Sequence, residues 1–298
     1  MTPWHTERLR IAHATAAVLA AEHPGAQIRL EGALAHGLAH ARSDIDLRIV
    51  TPAGQPLRVV SQVVDGIRVD LHTSTAEELG ELHGLLASFD LPREGDVAAF
   101  RTARRSLSDL TTLRTAVVLD QGEQNPVLDK NETDQYARWA LADRVQAAIS
   151  LTEDLLGLIE ARQRLAEQLV WQRLAVVVAQ AEAAAAGQPL LGEKWLPALL
   201  GLATGPDQAP RAIPTLPDTG RPFGTETAFR AVRTRLCQAL TSRWGTPEPG
   251  DPALDPAWSG LGWLPQRCSD GWALQRGDDL IPLTDAQFHA WAAAIALS

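Results

Sequence analysis

The chain has 298 residues, of which 45% are hydrophobic and 21% are charged, a composition typical of a globular protein with room for two domains. Its formal net charge of −9 argues against a nucleic-acid partner, because binding to phosphate backbones requires a basic surface. The apolar runs are too short for a membrane span, and the N-terminus lacks the pattern of a secretion signal. The two cysteines have no metal-binding spacing, and we expect them to be reduced, as in a cytoplasmic protein. We expect a monomer or homodimer without a membrane partner.

The first 125 residues contain alternating patterns of helix and strand. A β-hairpin is predicted over residues 57–72, where two segments of alternating polarity flank Asp65-Gly66, a dipeptide typical of tight β-turns. In chain order we predict a helix over residues 4–23, a strand over 27–32, a helical turn over 38–42, strands over 44–50, 57–64 and 67–72, helices over 75–89 and 96–106, and a buried strand over 113–119 that ends in a turn at 120–122.

The stretch from Gly32 to Leu47, GALAHGLAHARSDIDL, contains the most informative pattern of the sequence. Asp44 and Asp46 are two residues apart, so in a strand both carboxylates leave the same face. Side by side they repel each other, and a bound divalent cation removes that penalty. Asp70 lies on the polar face of the second predicted hairpin strand, where it can complete the cluster. The sequence therefore predicts a three-carboxylate metal site.

Glycines at both ends of the preceding loop, Gly32 and Gly37, would let its backbone approach an anionic ligand closely. Five residues separate this loop from Ser43-Asp44-Ile45-Asp46-Leu47. Together the loop, the spacer and this segment resemble the signature of the nucleotidyltransferase superfamily, which has the DNA-polymerase-β-like minimal fold. We consider the chain most similar to the antibiotic nucleotidyltransferases, which act on aminoglycosides or lincosamides.

This resemblance implies that Asp44, Asp46 and Asp70 are the catalytic and metal-binding residues. They would hold two Mg²⁺ ions and, through them, ATP or another nucleoside triphosphate as co-substrate. Arg42 and Arg48 could add positive charge to a triphosphate that an acidic protein would otherwise repel. The nucleotide contacts implied or suggested are Gly32, Ala33, His36, Gly37, Arg42, Ser43 and Lys194.

One position departs from the family pattern. Ala33 stands where the family has a serine whose hydroxyl and amide hold a phosphate. The amide remains and the hydroxyl is lost, which removes a hydrogen bond worth about 0.5–1.5 kcal/mol. The sequence therefore supports the prediction of the fold more strongly than the prediction of catalytic activity.

The rest of the chain is predicted to be mostly helical. Residues 132–187 are rich in alanine and leucine and free of proline, which favours two or three bundle helices. A proline-rich loop is predicted over 201–224, a helix over 225–243 and a linker over 245–256. Beyond it we predict a hairpin over 272–283 and a helix from Thr284, forming either a winged-helix-like element or a cap in which Trp272, Phe288 and Trp291 pack on the bundle.

The predicted fold class is α+β: a small mixed sheet with flanking helices, then an all-α bundle and a small hairpin–helix module. The corresponding domains are residues 1–125 (catalytic), 126–244 (substrate- and nucleotide-binding) and 245–298 (linker and C-terminal module).

The sequence leaves three functions open. The chain could transfer a nucleotide, AMP in the first instance, to a hydroxyl of a small molecule. It could instead nucleotidylate a protein or peptide, as do the minimal antitoxin nucleotidyltransferases, whose loop motif is similar. Ala33 favours a third function, that of a catalytically weak nucleotide-binding or scaffold protein. Candidates for a general base from the helical domain are Glu132, Asp134, Asp143 and Glu153.

Overall fold

The computed structural model describes residues 2–52, 60–93, 98–120, 123–204, 225–250 and 252–297. The chain divides into two compact units, Met1–Ser88 with Arg105–Tyr136 and Phe89–Arg104 with Ala137–Ser298. The three domains predicted above stay a prediction. None of the helices in the described ranges combines the length and the apolar character needed to cross a membrane.

The first half of the chain alternates between helices and strands, and the second half is dominated by helices until a short run of strands near the end. In chain order the elements are α1 (Pro3–Glu22), β1 (Gln27–Glu31), α2 (Gly32–Ala35), β2 (Ile45–Thr51), β3 (Val60–Val64), β4 (Ile67–Thr75), α3 (Ala76–Ala87), α4 (Ala98–Arg105), α5 (Leu107–Thr115), β5 (Val117–Asp120), β6 (Glu123–Pro126), α6 (Lys130–Glu160), α7 (Arg164–Ala185), α8 (Leu196–Thr204), α9 (Thr225–Trp244), β7 (Leu264–Cys268), β8 (Gly271–Arg276), β9 (Asp279–Leu283) and α10 (Asp285–Leu297).

The first unit contains a six-stranded mixed sheet in the order β3-β4-β2-β1-β5-β6. Strands β2 and β4 are parallel, and the other neighbours are antiparallel. Along each strand alternate side chains point to opposite faces. One face packs on α1 and buries Leu30, Leu47 and Val69 together with Ile11. The α+β class and the mixed sheet that the sequence predicts are therefore confirmed.

Over the described residues the predicted hairpin is confirmed as β3 and β4, which pair in antiparallel register from Val60↔Leu71 to Val64↔Ile67. Residues 57–59 of its first predicted strand lie outside the described residues. Asp65 and Gly66 form its turn, with φ values of 51° and 77°. Both angles are positive, as a two-residue type I′ turn requires, and this explains the Asp-Gly sequence.

Two local predictions are wrong. The helical turn expected at residues 38–42 is absent, and the helix of this loop lies earlier, at α2. The strand expected over 113–119 begins only at Val117, because Leu113 and Thr115 belong to α5, and its side chains are half-buried rather than buried. Of the turn predicted at 120–122, residues 121 and 122 lie outside the described residues.

The second unit is mostly helical. Two long helices, α6 and α7, account for the alanine-rich segment, and α7 contacts α8 and α9. Most of the predicted loop at 201–224 lies outside the described residues, and residues 201–204 end α8.

The C-terminal segment has one strand more than the sequence predicts. Strand β7 joins the predicted hairpin of β8 and β9 in a three-stranded sheet. Helix α10 begins directly after Thr284, as predicted, and Thr284 and Gln287 exchange a reciprocal pair of hydrogen bonds at its start. Trp272, Phe288 and Trp291 are buried, and α9 contacts both β7 and α10 within this unit.

Candidate metal and phosphate site

A row of acidic side chains crosses three neighbouring strands on the polar face of the first unit's sheet. Asp46 on β2 pairs with Asp70 on β4 in parallel register, and Glu31 on β1 pairs with Asp46 on the other side. Asp44 precedes β2 by one residue and is exposed. One carboxylate oxygen from each of Asp44, Asp46 and Asp70 lies within 4.8 Å of the others. The three acids that the sequence singles out therefore lie together.

Two residues further along the strands, a row of basic side chains runs parallel to the acidic one. It consists of Arg29, Arg48 and His72, paired in register across β1, β2 and β4. Arg48 Nε lies 2.5 Å from Glu31 Oε1, and its Nη1 donates to Ser74 Oγ at 2.6 Å. Arg48 thus neutralises Glu31 inside the protein. The sequence suggested instead that Arg48 could add positive charge to a triphosphate.

Asp46 is held in a place where ionisation is unfavourable. Burial raises its pKa to about 6, and the neighbouring charges of Asp44, Asp70 and Glu31 act in the same direction. A negative charge on this carboxylate therefore costs free energy in the folded protein. A cation bound between Asp44, Asp46 and Asp70 would reverse this effect.

Asp70 is in the opposite situation. Arg68 donates from Nε to Asp70 Oδ1 at 2.8 Å, its Nη2 lies 2.6 Å from Oδ2, and the Ser61 hydroxyl donates to Oδ1 at 2.5 Å. The hydrogen bond from Arg68 is the largest cause of a pKa below the usual value of an aspartate, although burial opposes it. Asp70 is therefore a fixed, ionised carboxylate.

Gly32 places the loop beside Asp46. Its φ is +71°, a conformation that side chains rarely adopt, and a Cβ at this position would lie 2.8 Å from Asp46 Oδ2. The Gly32 N–H donates to Thr115 Oγ1 at 3.1 Å. Glycine is thus required twice here, for its backbone angle and for the space that the carboxylate occupies. Ala33 follows in the first turn of α2.

The segment before Asp44 is held by Arg8, which the sequence patterns did not identify. Arg8 on α1 is buried and donates to the carbonyl oxygens of Ser43 and Ala41 at 2.7 and 2.9 Å. The Ser43 hydroxyl accepts from the His40 N–H at 2.9 Å, so in this structure it stabilises the turn. These contacts fix the chain immediately before the acidic pair.

The other predicted loop residues differ in exposure. Arg42 is exposed, and its N–H donates to His40 Nδ1 at 3.0 Å. His36 is half-buried at the end of α2, and Gly37 has a φ of +77°. Arg42 is thus available to solvent, as a residue that contacts an incoming anion must be.

Lys194 lies in the second unit, in a 3₁₀ helix over Glu193–Trp195. It is exposed, with Nζ 5.2 Å from the centre of the Trp195 ring, a cation–π arrangement. Its predicted contact with a nucleotide stays a prediction.

The four candidate bases divide between the units. Glu132 lies in the first unit with Asp134, and its Oε1 is 2.5 Å from His83 Nδ1. In the second unit, Asp143 is buried and bonded to Arg104 and Arg144, whereas Glu153 is exposed. The internal partners of Glu132 and Asp143 make these two acids less suited to taking a proton from an acceptor.

The donor set at the acidic row fits Mg²⁺. Three carboxylates offer hard oxygen ligands at close spacing, and the described residues add neither histidine nor cysteine to the cluster. The raised pKa of Asp46 agrees with this assignment, because a cation would relieve the repulsion from Asp44 and Asp70 that causes part of the rise.

Comparisons with known proteins add little to this picture. No protein-family model and no curated protein matches the sequence. Among solved structures, a nucleotidyltransferase-like protein from Exiguobacterium sibiricum 255-15 is similar over 78% of this chain and 76% of its own, with 12% sequence identity and a TM-score of 0.36. A score this low does not establish a common fold.

Proposed function

We propose that the chain is a metal-dependent nucleotidyltransferase that transfers a nucleoside monophosphate, AMP from ATP, to a hydroxyl group of a small molecule. The observation that supports this most directly is the cluster of Asp44, Asp46 and Asp70, whose ligand oxygens lie within 4.8 Å of one another beside Gly32. The aminoglycosides and lincosamides, suggested by resemblance alone, are the first acceptors to test.

In the proposed reaction, the acceptor oxygen attacks the α-phosphorus of the triphosphate. A bond forms between these two atoms, the bond from the α-phosphorus to the bridging oxygen breaks, and pyrophosphate leaves with the bonding electrons. The acceptor hydroxyl gives its proton to a base. When bound, divalent cations would neutralise the phosphate charge and stabilise the attacking and leaving oxygens.

The residues of this chain would have distinct tasks. Asp44, Asp46 and Asp70 would hold the cations, and Gly32 leaves the space that the Asp46 carboxylate occupies. Arg42, which is exposed, would add positive charge to the approach of a triphosphate toward an otherwise acidic protein. His36, Gly37 and the Ala33 amide complete the loop on which the phosphates would lie.

Ala33 favours a second candidate, a protein that binds Mg-nucleotide with little turnover. The alanine removes a hydroxyl donor to the phosphate and leaves the acidic cluster intact. Binding and transfer can then be separated, because three carboxylates are sufficient to hold a cation and its triphosphate, whereas transfer also needs tight control of the phosphate position.

The experiment that separates these candidates is transfer of label from α-³²P-ATP, and from the other three triphosphates, in the presence of MgCl₂. The acceptors are a panel of aminoglycosides and lincosamides, and a protein lysate. Label on a small molecule supports the proposal, label on protein moves the acceptor to a protein or peptide, and nucleotide binding without transfer supports the second candidate.

Two variants serve as controls in the same assay. Asp46→Asn removes one carboxylate of the cluster, and we expect it to abolish transfer and Mg-dependent nucleotide binding. Asp154→Asn makes the same chemical change at an exposed position of α6 and should leave both unchanged. Mg-dependent binding that persists in Asp46→Asn would contradict the site assignment.

A further inference from the structure

In the described part of the first unit, the guanidinium of Arg29 is buried and has no carboxylate partner. Arg29 on β1 is 9% exposed, and its Nε donates to Gln27 Oε1 at 2.7 Å, so this bond goes to a neutral amide. Its Nη1 is buried and has no hydrogen-bond partner in the part of the chain that the structure describes. Buried arginines are ordinarily paired with an acid, since an isolated buried charge is strongly unfavourable.

The charged side chains around Arg29 do not neutralise its positive charge. The acid closest along its strand, Glu31, already pairs with Arg48, and Arg48 itself lies next to Arg29 in the register of β1 and β2. Burial lowers the pKa of Arg29, and Arg48 lowers it further, while Glu31 opposes them. One positive charge therefore remains in excess on this part of the sheet face.

Arg29 lines a cavity of about 400 Å³ at the end of the sheet opposite to the acidic row. The cavity also borders the C-terminal end of β2 and the first turns of α3, and its lining includes Gln27, Thr51, Pro52, Gly80 and His83. None of its lining residues that the structure describes carries a carboxylate, in a protein with a net charge of −9. The cavity thus has one cationic side chain, Arg29, in its wall and room for a small ligand, while His83 in the same wall is bonded to Glu132.

We propose that this cavity is a binding site for an oxyanion of the size of phosphate or sulfate, with Arg29 as its principal donor. A guanidinium offers parallel N–H groups that match the oxygens of such an anion, and an anion would supply the missing counter-charge. Arg29 pairs with Arg48, which is two residues beyond Asp46 on β2, about 7 Å along the strand, and the cavity extends from Arg29 away from the acidic row to Thr51, about 16 Å beyond Asp46. The site is therefore separate from the proposed metal and triphosphate site.

The test is thermal unfolding of the full chain in EDTA, without nucleotide, at increasing inorganic phosphate and constant ionic strength set with chloride. We expect saturable stabilisation, reaching about 2–4 °C at ten times the dissociation constant. Arg29→Met removes the charge and keeps most of the side-chain volume. It should unfold at a higher temperature than the wild type in chloride alone and lose the rise produced by phosphate.

Arg101→Met, at an exposed position of α4, is the matched control and should respond to phosphate as the wild type does. Sulfate in place of phosphate should give the same pattern. An equal phosphate-induced rise in Arg29→Met would overturn the proposal, and so would a variant that unfolds at a lower temperature or fails to fold, because the guanidinium would then be satisfied internally. EDTA and the lack of nucleotide keep the acidic cluster out of the measurement, and phosphate bound instead at the loop of residues 32–37 would give a rise that Arg29→Met retains, so the result is independent of the proposed transferase activity.

Discussion

Arg68 and Asp70, two residues apart on β4, form a two-pronged ion pair, with Nε 2.8 Å from Oδ1 and Nη2 2.6 Å from Oδ2. The side chain of Arg68 is 62% exposed, whereas that of Asp70 is 7% exposed. Arg68 thus occupies, from the solvent side, the oxygens that a cation at the acidic cluster would use. It is the positive group that a metal ion at the proposed site would have to displace.

The first prediction concerns this competition. We expect Arg68→Gln to bind Mn²⁺ about two- to five-fold more tightly than the wild type in the absence of nucleotide, a range set by the modest strength of exposed ion pairs. Electron paramagnetic resonance of free Mn²⁺ measures the affinity directly. Arg173→Gln, an exposed arginine of α7, controls for net charge. Weaker Mn²⁺ binding in Arg68→Gln would mean that positioning of Asp70 outweighs the competition.

The second prediction concerns the stability of the metal-free protein. In EDTA at pH 7, Asp46→Asn should be more stable than the wild type by about 1–2 kcal/mol, because a half-buried carboxylate next to like charges is removed. Asp154→Asn should show no such gain. Urea unfolding of the three proteins measures the free-energy differences, and destabilisation by Asp46→Asn would contradict the unfavourable charge assigned to Asp46.

The comparison of Asp46→Asn with the wild type also predicts how stability depends on pH. The pKa of Asp46 is raised from its ordinary value of 3.8 to about 6, so the folded protein binds the proton more tightly than the unfolded chain. The wild type therefore loses stability as the pH rises from about 4 to about 6. The difference between Asp46→Asn and the wild type should widen over this range in EDTA and remain constant above it. A difference that does not change with pH would contradict the raised pKa.

The third prediction concerns Gly32. Gly32→Ala should destabilise the protein by about 2–4 kcal/mol and weaken Mn²⁺ binding, because the new Cβ meets both an unfavourable φ and the Asp46 carboxylate. Gly66→Ala is a suitable comparison, since its φ is +77° and its Cβ would meet nothing within 4 Å. It should cost about 1 kcal/mol and leave Mn²⁺ binding unchanged. Equal effects in the two variants would show that the contact with Asp46 is unimportant.

The fourth prediction concerns Arg8. Arg8→Met removes two hydrogen bonds from a buried guanidinium to the loop before Asp44, and we expect it to reduce stability by about 2–4 kcal/mol and to weaken Mn²⁺ binding. Arg10→Met lies on the same helix, where Arg10 bonds to the exposed acids Glu7 and Asp65. Its effect on stability should be much smaller than that of Arg8→Met, because exposed ion pairs contribute little, and Mn²⁺ affinity should be unaffected. Normal Mn²⁺ affinity in a folded Arg8→Met protein would separate Arg8 from the site.

The fifth prediction concerns the cysteines. Burial raises the pKa of Cys237 and of Cys268 to about 12, so neither thiol forms a thiolate at neutral pH. The native protein should react very slowly with Ellman's reagent at pH 8, and both thiols should react within the mixing time in denaturant. Rapid reaction of either thiol in the native protein would contradict the burial assigned to it.

The parts of the site that could be predicted from the sequence are those that depend on local spacing. Asp44 and Asp46 are two residues apart, and the Asp65-Gly66 turn fixes which residues of β4 face the polar side, so the alternation of β4 alone places Asp70 on that side. The same reasoning anticipated the α+β class, because strand and helix periods differ along the chain.

The remaining features depend on contacts between distant residues. Arg8 reaches a carbonyl 35 positions away, and no spacing rule connects a helix residue to such a loop. Arg48 was expected to be available to a ligand, but its bond to Glu31 depends on the register of β1 against β2. The start of β5 was placed too early because Leu113 is apolar and buried in a helix as readily as in a strand.

The parallel register of β2 and β4 has a consequence for folding. Asp46 and Asp70 face the same side only because they are paired directly, and a slip of one residue would send one of them into the apolar core. A cation that binds both acids would therefore stabilise one strand alignment among the possible ones. Metal binding in this protein would then depend on correct strand pairing as well as on substrate. Only molecules in which β2 and β4 have aligned in this register would bind the ion through both acids.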